Sequence, residues 1–287
     1  MGIKEYNTNL KLDNNKNRKM KIIFKTIVLL FIVGSIQSCS LLGAAGILSQ
    51  GQPIKRIEGK LVSTTANSSV NVDHTIWDNL LRKYVSNEGL VDYKGFKKDF
   101  ETLEDYLRIL ATQEPRDDWS IQELLAYYIN SYNAYTVKLI VENYPVNSIK
   151  DIDGPWTKPY VPIDGREITL ATIENGVLRK MNEPRIHFAI ACASISCPPL
   201  LNEAYTAGKI NEQLERVTRD FINNEKFNEI SATNPKVSMI FKWYEKDYTV
   251  NDKKDVIGFI NNYADTKINA NATLQYQNYN WDLNEQK

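Results

Sequence analysis

The chain has 287 residues, with 35 Lys and Arg balanced by 35 Asp and Glu. That neutrality argues against a nucleic-acid binder, which needs a concentrated basic face to displace counterions. Apolar residues make up 43% and aromatics 10%, enough for a packed core and far from the make-up of a disordered protein. Three Cys and two His confine thiol, imidazole or metal chemistry to a handful of positions.

Residues 1–19 are polar and rich in Asn and Lys, and Met20 opens a different segment. Lys21 and Lys25 flank the start of an apolar run that continues from Ile27 to Val33, and Ile36-Gln37-Ser38-Cys39 closes it. Basic, then apolar, then small is the order of a secretory signal, here residues 1–38 with a natural start at Met20. The run is about half of the roughly 20 residues that a spanning helix needs. A Cys directly after a small residue resembles the lipobox of bacterial lipoproteins, with Gln37 standing where Ala or Ser is usual. That resemblance implies a diacylglyceryl (palmitate-bearing) Cys39, membrane attachment through it, and a place in the cell envelope. Ser40 and Leu41 include no Asp, which points to the outer membrane. From Cys39 to Val72 no helical or strand period is present, so this stretch reads as a flexible tether reaching about 30 Å.

The folded domain is expected over 73–287. Ile76, Leu80, Leu81 and Tyr84 predict a first helix; Leu90–Tyr93 is a short strand candidate; Phe96, Phe100, Leu103, Leu107 and Leu110 predict a second helix. Ser120 and Glu123 form a capping-box pattern ahead of a long apolar helix that carries Asn130 and Asn133 inside. Buried amides usually serve neighbouring loops, so a structural role for both Asn is favoured over a catalytic one. Asp164-Gly165 predicts a hairpin, and Thr169 a cap for a short helix through Leu178. Arg185–Cys192 reads as a strand, followed by a helix near 210–222, a strand at 237–241, a helix near 256–263 and an aromatic terminal stretch. Helices outnumber strands without regular alternation, which predicts one mainly helical α+β domain with a small, mostly antiparallel sheet.

One segment is chemically loaded. His187, Cys192 and Cys197 lie within eleven residues, ahead of Pro198-Pro199. A Cys–His nucleophile requires a base beside the sulfur. In a strand His187 and Cys192 face opposite ways, and in a helix they lie about 140° apart, so Cys197, beyond a bend, is the alternative partner. The same residues with Glu174 could supply zinc ligands, but the Cys-x4-Cys pair stands at the wide end of structural zinc spacing, and no metal or other cofactor is expected. A Cys192–Cys197 disulfide or two inert buried thiols are the remaining readings.

The sequence resembles the family catalogued as domain of unknown function 547. The resemblance rests on Leu125–Ala134, Ile173-Glu174, Leu178-Arg179, Arg185–Ala189, Cys192–Leu200, Phe241–Tyr244 and Tyr279–Asn284. It implies one globular domain of unsettled activity, and a His directly after Glu174, where this chain has Asn175. A buried helix followed by a His-bearing segment is also similar, at the level of layout, to papain- and transglutaminase-type hydrolases. Those place the nucleophilic Cys upstream of the His, and here both Cys follow it. The favoured expectation is an exported, lipid-tethered binding or scaffolding module whose protein or small-molecule partner the sequence does not name. The alternative is a thiol-dependent hydrolase or transferase using Cys197 or Cys192 with His187, and Asn130 or Asn133 as orienting groups.

Overall fold

The computed structural model describes residues 41–251 and 253–287; the signal segment, the start at Met20 and the lipidated Cys39 lie outside them. The first helices are α1 (Thr75–Tyr84), α2 (Tyr93–Lys98), α3 (Phe100–Thr112) and α4 (Ile121–Asn143). The sequence periods of α1, α3 and α4 are therefore realised, and Phe96 belongs to its own short helix, capped by Asp92. α4 is buried almost all round from Glu123 to Val141 and forms the axis on which the rest is packed. Beside it, Trp77 of α1 stacks on Tyr106 of α3 with ring centroids 5.8 Å apart. Tyr106 in turn hydrogen-bonds Nδ1 of buried His74 at 2.7 Å. Burial drives the His74 pKa down to about 4.

The Asp164-Gly165 hairpin forms as expected. Both residues have positive φ (52° and 67°), the requirement of a tight hairpin turn joining β1 (Val161–Ile163) to β2 (Arg166–Ile168). Thr169 Oγ1 accepts from Thr172 N at 2.9 Å, as a cap should, but the turn that follows is a wide π-type helix, Thr172–Val177. A 3-10 turn, Leu178–Met181, continues it. Further on come α5 (Ile210–Asn223), β3 (Lys236–Val237), α6 (Ile240–Trp243), β4 (Thr249–Val250), β5 (Lys253–Lys254), α7 (Val256–Tyr263) and β6 (Gln275–Tyr276). The fold is thus α+β and mainly helical; its strands pair two by two, antiparallel except for β3 with β6. No helix among the described residues is long and apolar enough to cross a membrane.

Four expectations need correction. Arg185–Cys192 is not a strand: Pro184 starts a 3-10 turn, Pro184–Phe188, and an irregular segment follows. Its mostly apolar character reflects burial on every side, which periodicity cannot tell from a buried strand. Leu90–Tyr93 makes only isolated bridges, from Val91 to Val85 and Glu285, and the 237–241 strand stops at Val237. The stretch to Val72 is not a free tether: Gln52, Ile57 and Leu61 are buried, and Ile57 N donates to Met181 O at 2.8 Å. We refer to this N-terminal stretch as the strap. Glu123 explains part of its hold. Ser120 accepts from Glu123 N, but the Glu123 carboxylate turns away from the reciprocal cap and accepts Val72 N at 2.8 Å.

Candidate functional site

Asn130 and Asn133 sit one helical turn apart on the inner face of α4, and each grips backbone with both ends of its amide. Asn130 donates to Tyr205 O and accepts Tyr205 N. Asn133 donates to Ala189 O and accepts Ala191 N, both at 2.9 Å. Neither lines the cavity described below, so the orienting role considered for them is not met. Asn133 instead fixes the irregular segment that ends in Cys192.

The C-terminal stretch closes the other side. Ile195 N donates to Asp282 O, Ser196 N to Asn280 O and Asn284 N to Ala193 O, an arrangement that delivers Tyr279 and Trp281 beside the cysteines. Ala193 makes the sharp turn after Cys192 in the left-handed region, with φ 59°. The result is a cavity of about 290 Å³ whose wall includes Glu174, His187, Cys192 and Cys197, with Tyr132, Tyr244, Tyr279 and three tryptophans. Glu174 reaches it because the π-type turn bulges there; such turns recur at functional sites.

Within the cavity His187 is tied from one side. Its Nε2 lies 2.8 Å from Asp247 Oδ2, and the ring stacks on Tyr244 with centroids 3.9 Å apart. Arg179 clamps the same carboxylate through Nε and Nη2 at 2.5 and 2.8 Å, and its Nη1 donates to Asn175 Oδ1 at 2.9 Å. Burial pushes the Asp247 pKa up, but the bonds from His187 and Arg179 outweigh it and hold the group at about 2. An ionised carboxylate only accepts, so the proton of a neutral His187 belongs on Nε2 and the lone pair on Nδ1. Nδ1 has no partner among the described residues. Burial lowers the His187 pKa, partly offset by Asp247, which keeps the ring neutral at pH 7.

The thiols are unbridged and unequal. Cys192 Sγ lies 3.3 Å from both Ser194 Oγ and Tyr279 OH. Ser194 donates to Tyr279 at 3.1 Å, leaving the phenol proton for the sulfur. Hydrogen bonds from Cys197 and Tyr279 lower the Cys192 pKa against the effect of burial. Cys197 is more deeply buried and its pKa is pushed well up; its sulfur accepts the Cys192 backbone N–H at 2.8 Å. Glu174 is bound by Tyr132 OH at 3.3 Å and Tyr244 OH at 2.5 Å. Asn175, where the resemblance implies His, donates to Ala44 O of the strap at 3.0 Å. Among the described residues no three His, Cys, Asp or Glu side chains are grouped so as to hold a metal ion.

The structure therefore unites His187, Cys192, Cys197 and Glu174 and leaves Asn130 and Asn133 behind the wall. Asp247, Arg179, Ser194 and Tyr279 join the site without having been singled out for it. Arg179, Ser194 and Tyr279 stood in family strings, whereas nothing local distinguishes Asp247 from other acidic residues.

Fold and site together define an α+β domain built around a cavity that holds a thiol, a carboxylate-oriented imidazole and a second carboxylate. Residues 116–222 match the family described as protein of unknown function, DUF547, so the resemblance holds for that stretch. The match takes in Asn130, Asn133, Glu174, His187 and both cysteines, and ends before Tyr244, Asp247 and Tyr279. No curated protein and no solved structure matches the chain.

Proposed function

We propose that the domain is a thiol-dependent acyl hydrolase or transferase with Cys192 as nucleophile and His187 as base. The observation that carries this reading is the His187 tautomer: Asp247 fixes the proton on Nε2, leaving an unpartnered Nδ1 lone pair on a residue that shares the cavity with Cys192. Cys192 sulfur attacks a carbonyl carbon and its proton passes to His187 Nδ1. The departing amine or alcohol takes that proton as the tetrahedral adduct collapses, and water or a second nucleophile then cleaves the thioester. Cys197, kept protonated by burial, does not compete. Iodoacetamide labelling of the reduced protein tests this directly. One thiol, Cys192, should react rapidly at pH 6–7 and lose that rate in His187→Ala; two uniformly slow thiols would overturn the reading.

A binding module is the second reading, favoured by Asn175. Its amide is turned to the strap and to Arg179, so the cavity wall lacks the second imidazole that the family resemblance implies. We further infer from the signal pattern that the protein is exported and held at the cell envelope, in the outer membrane, by lipid on Cys39. A palmitate analogue should label the wild type and not Cys39→Ala.

A further inference from the structure

Trp156, Trp243 and Trp281 do not belong to the thiol chemistry, yet together with Tyr279, whose hydroxyl serves Cys192, they form one continuous aromatic wall of the cavity. Tyr279 lies 4.6 Å from Trp281 and 4.7 Å from Trp243, centroid to centroid, and Trp281 is 5.9 Å from both Trp156 and Trp243. Trp243 is 43% exposed and also lines the cavity, which puts its ring at the rim. The charge inside is one-sided. Glu174 is the lone acidic side chain of the lining, and neither Lys nor Arg is among the lining residues described. With His187 neutral, the field in the cavity has the sign of a carboxylate. A cation of the chain itself already stands by this wall: Lys150 Nζ is 5.0 Å from the Trp281 ring centroid.

From this geometry we infer that the cavity receives a ligand carrying an alkylammonium group, seated against the tryptophan faces with its charge directed at Glu174. Ring faces are electron-rich and attract such a cation, and a partly desolvated carboxylate adds a second attraction that a neutral or anionic ligand does not gain. The aliphatic part of the ligand would cover Ile190, Pro198 and Ile240, which line the same space. The inference does not depend on turnover, because ammonium binding requires no thiolate. Under the thiol reading it names the substrate class, an amine-bearing acyl compound or amine acceptor.

Tryptophan fluorescence of the full chain offers the test, with two matched pairs of probes: choline against 3,3-dimethyl-1-butanol, and pentylammonium against 1-pentanol. In at least one pair the cation should quench with an affinity about tenfold above that of its neutral counterpart. Glu174→Gln should erase that preference while Trp243→Ala, a change at the exposed rim, should weaken the cation of the same pair. Equal affinity within both pairs, a preference surviving Glu174→Gln, or no binding of any probe would overturn the inference. Repeating the titration in Cys192→Ser separates the two claims. Retained ammonium binding with no fast thiol in the wild type defeats the enzyme reading alone, and a fast thiol without ammonium preference defeats this one alone.

Discussion

The chain's two histidines occupy opposite kinds of surroundings, although both are buried and each has one ring nitrogen bonded and one free. His74 bonds a phenol, Tyr106, in a corner filled by Trp77, and is not in the lining of the cavity that holds the thiols. His187 bonds a carboxylate, lies on Tyr244 and borders open space shared with a thiol. An unpaired nitrogen is therefore no mark of function by itself. What separates them is a charged partner that fixes the tautomer and a void where a reacting group can sit.

The largest effect that can break this contrast is on thiol reactivity. Cys192→Ala should remove the fast-labelling thiol entirely, and His187→Gln should slow it by about a hundredfold, the low end of general-base effects. His74→Gln should leave that rate untouched; an equal slowing in both mutants would erase the distinction. Next in size is acid stability. The His74 pKa is depressed in the folded state, so the unfolded chain binds the extra proton. Stability from this residue is complete above pH 6.5 and is lost as pH falls toward about 4, a difference of roughly 3 kcal/mol. Denaturant titrations from pH 7 to 4 should show that slope, flattened in His74→Gln.

A smaller effect separates the two buried asparagines. Asn130→Ala and Asn133→Ala should each cost about 1–3 kcal/mol, because a backbone N–H and a carbonyl lose their partners. Only Asn133→Ala should also alter the Cys192 labelling rate, since Asn133 alone holds the segment leading to it. Smallest of all, Ala193→Gly relieves a left-handed residue but loosens the unfolded chain, so chemical denaturation should register a gain below about 1 kcal/mol.

Much of the helical fold was legible because α1, α3 and α4 bury stripes or whole surfaces at helical spacing. The hairpin was legible because Asp164-Gly165 meets a local demand for positive φ. The segment before Cys192 was not, since it is buried by tertiary contacts and held by Asn133, and a mostly apolar run carries no period. In strand geometry His187 points away from Cys192 and Cys197 is the better candidate, whereas with the 3-10 turn and bend both His187 and Cys192 line one cavity. Asp247 was hidden for a different reason. It lies 60 residues from His187 in sequence, and only the folded chain joins them.

The strap is held largely by its main chain. Ala44, Ile47, Gln50 and Ile57 each offer a carbonyl, to Asn175, Lys180, Arg166 and Asn182 in turn. A peptide carbonyl is present whatever the side chain, so at Ala44 and Ile47 the letters can be rewritten with the carbonyl contact kept, whereas buried Gln52, Ile57 and Leu61 hold by their side chains. Adding or removing one residue between Ile47 and Gln50 shifts the Ala44 and Ile47 carbonyls past their donors. The spacing from Ala44 to Gln50 is thus a ruled measure.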